Sequence, residues 1–177
     1  MLQGNASSED WARRFRFDDV VWSGGTNGQK SSSEEDSVLD ALADAVVEDA
    51  LGRCINSVCF AHGVRGSGKS HTMFGVKGCS SLGLLPKIVA TLLSRIPSDG
   101  YRVNISFLEI CDEDLVRDLL VPPTSTRNPR CLFIREHPDQ CGAFVKDLSE
   151  MTIRTIEGLM VCDSIYVQKF NFVSCRR

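Results

Sequence analysis

Asn56-Ser57-Val58-Cys59-Phe60-Ala61-His62-Gly63-Val64-Arg65-Gly66-Ser67-Gly68-Lys69-Ser70-His71-Thr72-Met73-Phe74-Gly75 joins an apolar run, a glycine-rich turn and a helix-forming segment. Its middle, Gly63-Val64-Arg65-Gly66-Ser67-Gly68-Lys69-Ser70, fits the phosphate-loop pattern G-x-x-x-x-G-K-[ST]. The chemistry explains the spacing. Glycines let the backbone curl closely around a phosphate, and a helix starting near Lys69 adds the positive end of its dipole. Lys69 is spaced to reach the β- and γ-phosphates, and the Ser70 hydroxyl to meet Mg²⁺. His71 follows directly. A Gly/Ser turn holding a lysine by chance is the competing reading, and the flanking pattern argues against it. Cys54 to Ala61 has the length and apolarity of a buried strand, and Lys69 to Phe74 reads as the first turns of a helix.

Outward from this loop, strand and helix patterns alternate, which predicts an α/β fold. Phe15 to Trp22 is a short strand-like run. Ser31 to Ser33 followed by Glu34, Glu35 and Asp36 reads as a helix start. That helix is expected to bury Leu39, Leu42, Val46 and Ala50, with its acids as a solvated face. Pro86 stands where another helix begins, with Leu85, Ile88, Val89, Leu92 and Ile96 on one face. Val103 to Ile110 reads as a strand, Asp112 to Leu120 as a short acidic helix stopped at Pro122-Pro123. Leu132 to Ile134 and Ala143 to Val145 read as a hairpin around residues 137–142.

Bulk composition narrows the function. With 20 Lys and Arg against 23 Asp and Glu, the net charge of −3 speaks against a nucleic-acid-binding domain. The eight cysteines form no C-x-x-C pair and no zinc-finger cluster, so reduced thiols in a cytosolic protein are expected, several buried as small hydrophobes. No apolar run approaches the roughly 18 residues of a membrane span.

Four stretches in order resemble the kinesin motor domain: Phe15 to Val20 (F-x-F-D-x-V), the strand and loop of residues 56–75, Val103 to Cys111 with Asp118-Leu119-Leu120, and Ile134-Arg135-Glu136-His137-Pro138 with Gly142 to Ser149. The last is similar to the kinesin-3 branch. The resemblance implies a P-loop NTPase-type sheet with helices on both faces. It also implies ATP with Mg²⁺ as ligand, held by Gly63, Val64, Arg65, Gly66, Ser67, Gly68, Lys69, Ser70 and His71, with Ser70 on the metal. Microtubules are the implied partner, through Arg135, His137 and Lys146, although that hairpin is equally well an ordinary solvated turn. Cytoplasm and cytoskeleton are the implied location. The likeness runs over residues 15–159, with 1–14 expected to be disordered and 160–177 a tail unlike the family.

The chain departs from the family pattern in three ways, the first being that nothing before Phe15 resembles the family's opening strand and Arg-x-Arg-Pro element, which borders the adenine. His62, Val64 and Arg65 stand where the family has Tyr, Gln and Thr, and His62 reads as a packed ring rather than a base. The family's switch I (N-x-x-S-S-R-S-H) and switch II (D-L-A-G-S-E) are not found. Asp147-Leu148-Ser149-Glu150 lacks the switch II glycine and belongs with the hairpin. The expectation is therefore a motor domain cut short of its switches, binding nucleotide weakly and turning it over little. Two other classes stand beside it: a non-motor interaction fragment, and a different P-loop ATPase or kinase using Glu109 or Asp112 as its Mg²⁺-side carboxylate.

Overall fold

The structure, a computed structural model, describes residues 14–21, 32–75, 82–97, 101–121, 131–136 and 143–159. The expected disordered start up to residue 13, the hairpin tip with His137 and the tail from residue 160 lie outside them.

Helix α1 (Ser32–Leu51) opens with Glu34 and Glu35 in its first turn, where acids oppose the positive end of the dipole. Its buried stripe differs from the expected one. Leu39, Ala43 and Val47 are buried and Leu51 partly so, whereas Leu42 is exposed. The inward residues recur every fourth position, so a small alanine takes the place expected of a leucine. Beside that stripe runs a second fourfold series, Asp36, Asp40, Asp44 and Glu48. It is not merely a solvated face. Lys87 Nζ lies 2.6 Å from Asp40 and 3.4 Å from Asp36, and Arg95 lies 2.6 Å from Asp44 and 3.7 Å from Glu48. Burial by itself pulls the Lys87 ammonium down. The hydrogen bond and charge of Asp40, joined by Asp36, outweigh it and hold the pKa above its ordinary value.

Both cations stand on α3 (Leu84–Arg95), eight residues apart on one face. Pro86 sits in the first turn, where its missing N–H leaves no hydrogen bond unmade. Leu84, Leu85, Pro86, Val89 and Leu92 are buried. Before it, the short helix α2 (Lys69–Phe74) ends at Gly75, which bridges to Leu82 and leads the chain back antiparallel into α3.

The expected strand over residues 103–110 is two strands in two sheets. β1 (Val103–Ile105) pairs antiparallel with β6 (Met151–Ile153), Val103 opposite Ile153. β2 (Leu108–Ile110) belongs to an antiparallel sheet in the order β2, β3 (Leu115–Asp118), β4 (Cys131–Glu136), β5 (Ala143–Val145). Between the two, Ser106 and Phe107 are buried. The expected helix over Asp112 to Leu120 is therefore corrected to a turn and the strand β3. The amides of Cys111 and Leu115 close the turn, and Leu115 to Asp118 alternate half-buried and buried, a period of two. Pairing with Cys131, Leu132 and Phe133 overrides the helical look of the acids. The β4–β5 hairpin forms as expected, with Arg135 opposite Phe144.

The helices and the β1–β6 pair share the main core. Val47, Leu85, Val89 and Leu92 pack with Val103, Ile105, Phe107, Leu119, Ile153 and Leu159. Asp118 in β3 is buried as an acceptor of two backbone amides, Leu120 at 2.9 Å and Ser149 at 2.8 Å.

Two expected strands are not strands here. Residues 14–21 are irregular, with Phe15, Phe17 and Val20 exposed. Residues 54–61, read as a buried strand, pair with no strand among the described residues, and Val58 and Phe60 are 82% and 83% exposed. An apolar run becomes a strand only where a neighbouring ladder takes up its backbone groups. Of the cysteines, Cys54, Cys59, Cys111 and Cys131 are free and exposed rather than buried, and the other four lie outside the described residues.

Candidate nucleotide-phosphate site

Residues 63–68 form a turn between the exposed run and α2. Three of its glycines have positive φ: 154° at Gly63, 82° at Gly66 and 91° at Gly68. At Gly63 the need for glycine is also steric, since a Cβ would meet the Ser67 hydroxyl at 2.5 Å. At Gly68 the left-handed backbone turns the loop into the first turn of α2, and Thr72 donates back to the Gly68 carbonyl at 2.9 Å. No side chain caps that helix start.

Lys69 folds back over the loop. Its ammonium donates to the carbonyl of Gly63 at 2.8 Å and of Val64 at 2.7 Å. A third short contact, the Ser67 amide to the Val64 carbonyl at 3.2 Å, tightens the same turn. The lysine is half-buried, while Gly63 to Gly68 and Ser70 are exposed. All residues assigned to phosphate binding are thus contiguous, running from the exposed loop into the first turn of α2. Ser70, in the first turn of α2, is open to solvent. His71 points its Nδ1 to 3.7 Å from Glu35 Oε1 on α1, an ion pair when the ring is protonated. His62 is exposed, so it is not the packed ring expected. Desolvation raises the pKa of the Cys59 thiol above its ordinary value.

The carboxylates considered for a different P-loop enzyme are otherwise engaged. Glu109 accepts from Arg117 Nη1 at 2.9 Å across β2 and β3, and Asp112 accepts the Glu113 amide in its turn. Ser149, in the stretch that superficially resembles switch II, donates its amide to Asp118 beyond the end of β5. It belongs with the hairpin, as its sequence context indicates. An open hollow of about 530 Å³ lies elsewhere, between Arg102 and residues 151–158, and takes no part in the loop. The role of Lys69 in tying the loop shut had no separate signal in the sequence.

The kinesin motor domain model matches residues 2–164. Kinesin-like protein KIF16B of Mus musculus is 37% identical over 169 residues, 90% of this chain and 12% of that protein. Kinesin-like protein KIF1C of Homo sapiens is 31% identical, over 91% of this chain and 15% of its own length. Among solved structures, a KIF14 dimer with AMP-PNP in complex with a microtubule superposes with a TM-score of 0.60 at 26% identity, covering 74% of this chain and 36% of that one. A KIF14 structure with ADP, also in complex with a microtubule, gives 0.60 at 27% identity. The chain thus spans well under half the length of these relatives. The glycine-rich loop and these matches agree that the chain belongs to the kinesin motor domain family, with kinesin-3 members among its relatives.

Proposed function

We propose that residues 63–70 hold the phosphates of ATP or ADP with Mg²⁺, as the nucleotide site of a microtubule motor domain. The observation that carries this reading is the Lys69 ammonium clasped over the carbonyls of Gly63 and Val64. There it stands where an incoming polyphosphate replaces neutral carbonyls with a charge-assisted partner. Mg²⁺ keeps water and phosphate oxygens as most of its ligands, so the Ser70 hydroxyl suffices as its protein contact. Among the described residues no group of three His, Cys, Asp or Glu gathers to hold a metal by itself.

Microtubule contact falls to the β4–β5 hairpin. Arg135 on β4 and Lys146, in the turn just after β5, are both exposed, and the register sets Arg135 opposite Phe144. His137 lies outside the described residues. Such exposed cations suit an acidic filament despite the net charge of −3.

Titration calorimetry with Mg-ADP on the 177-residue chain and on Lys69→Ala tests the site. Binding lost in the variant supports it, and a folded wild-type chain that binds nothing rejects it. The exposed Ile55, Val58 and Phe60 favour a second reading, a chain that works by holding a partner. A stoichiometric co-purifying protein without nucleotide affinity would select that one.

A further inference from the structure

We propose that Arg65 faces the terminal phosphate of the bound nucleotide and makes this loop prefer a triphosphate over a diphosphate. The inference rests on the nucleotide-binding reading of residues 63–70 and adds a discrimination that reading does not contain.

Lys69 gives the loop its direction. A phosphate-loop lysine serves the β- and γ-phosphates. Its ammonium here lies against the carbonyls of Gly63 and Val64, 2.8 and 2.7 Å away. The Gly63–Val64 end of the loop is therefore the end that meets the terminal phosphates. Arg65 is the next residue in the chain, joined to the Val64 carbonyl by a peptide bond. Arg65 thus springs from the end of the turn over which the Lys69 ammonium folds back.

Nothing else among the described residues claims Arg65. Its side chain is exposed and makes no hydrogen bond or ion pair with any described residue. The space beside it is open, because Gly66 has no atom within 4 Å of where a Cβ would stand. A guanidinium carries five N–H donors in a planar fork that matches a phosphate bidentately. The motif that this loop resembles has threonine at the position, a neutral group with one donor. Replacing it with arginine adds a permanent positive charge where the γ-phosphate brings additional negative charge.

The test compares Mg-AMP-PNP with Mg-ADP by calorimetry on the 177-residue chain, on Arg65→Thr and on Arg65→Lys. Arg65→Thr is expected to weaken AMP-PNP about tenfold and ADP less than about threefold, the scale of one charge-assisted phosphate contact. Arg65→Lys, which keeps the charge but loses the fork, is expected to fall between. The affinity of Arg65→Thr for AMP-PNP is also expected to depend less steeply on salt. Equal affinities for wild type and Arg65→Thr, or equal losses for the two nucleotides, would overturn the assignment. Failure of the wild-type chain to bind either nucleotide, or binding untouched by Lys69→Ala, would instead remove the reading beneath it. The side chain is exposed and has no partner among the described residues, so the thermal midpoint of each variant serves as a folding control.

Discussion

Lys87 Nζ stands 2.6 Å from Asp40 and 3.4 Å from Asp36, so one ammonium clamps two successive turns of α1 to the start of α3. The raised Lys87 pKa fixes the sign of its pH dependence. A raised pKa in the folded state means that the contribution is whole below the unfolded value of about 10.4 and lost as pH climbs through the folded one. Lys87→Met is expected to cost about 1 kcal/mol at pH 7, since Asp40 is largely exposed and solvent screens the pair. Urea denaturation of both proteins should show that gap closing only at strongly alkaline pH. A gap that closes near neutrality would assign the stabilisation to another group.

Gly83 touches the backbone of Phe74 and Gly75 so closely that a Cβ there has no room. Gly83→Ala is expected to lose about 1–3 kcal/mol, the usual cost of forcing a group into filled space. Because Phe74 ends α2, the displacement reaches the helix that carries Lys69. Denaturant midpoint and nucleotide affinity should fall together in this variant.

Asp118 is buried and accepts the amides of Leu120 and Ser149. Asp118→Ala leaves both donors without a partner and is expected to cost about 2 kcal/mol. Asp118→Asn recovers little, because its amide nitrogen meets one of the donors with another donor. Chemical denaturation of the two variants should find them closer to each other than to wild type.

Val58 and Phe60 lie open to water in the run that leads into the loop. Val58→Thr with Phe60→Ser is expected to reduce dye binding and the aggregated fraction of the 177-residue chain in sedimentation. Its folding free energy should stay within about 0.5 kcal/mol, as for other exposed positions. A large drop in stability would show these side chains to be buried in solution.

Local signals were the ones legible in the sequence. The glycine spacing of residues 63–68, the helix from Lys69, the apolar face around Leu85, Val89 and Leu92, and the β4–β5 hairpin each depend on neighbours a few positions away. Leu115 to Asp118 reads as helix from its acids, yet it is a central strand, paired with Leu108 to Ile110 across the turn before it and with Cys131 to Phe133 farther along the chain, and only the second partner lies beyond the reach of periodicity. In α1 the error was one of phase: leucine at 42 looked like core, yet Ala43 faces inward to let α3 approach. The run from Cys54 to Ala61 failed in the opposite sense. Its apolarity is real, but apolarity alone supplies no ladder partner.

The exposed run of residues 54–61 and the phosphate loop are one uninterrupted stretch of backbone, and that continuity has a thermodynamic corollary. A surface that takes up Ile55, Val58 and Phe60 also restrains the chain entering Gly63. Reciprocity then requires that any gain in nucleotide affinity caused by covering the run equal, as a factor, the gain in the cover's affinity caused by nucleotide. Two ligands of unrelated chemistry would thereby report on each other through a single hinge of polypeptide.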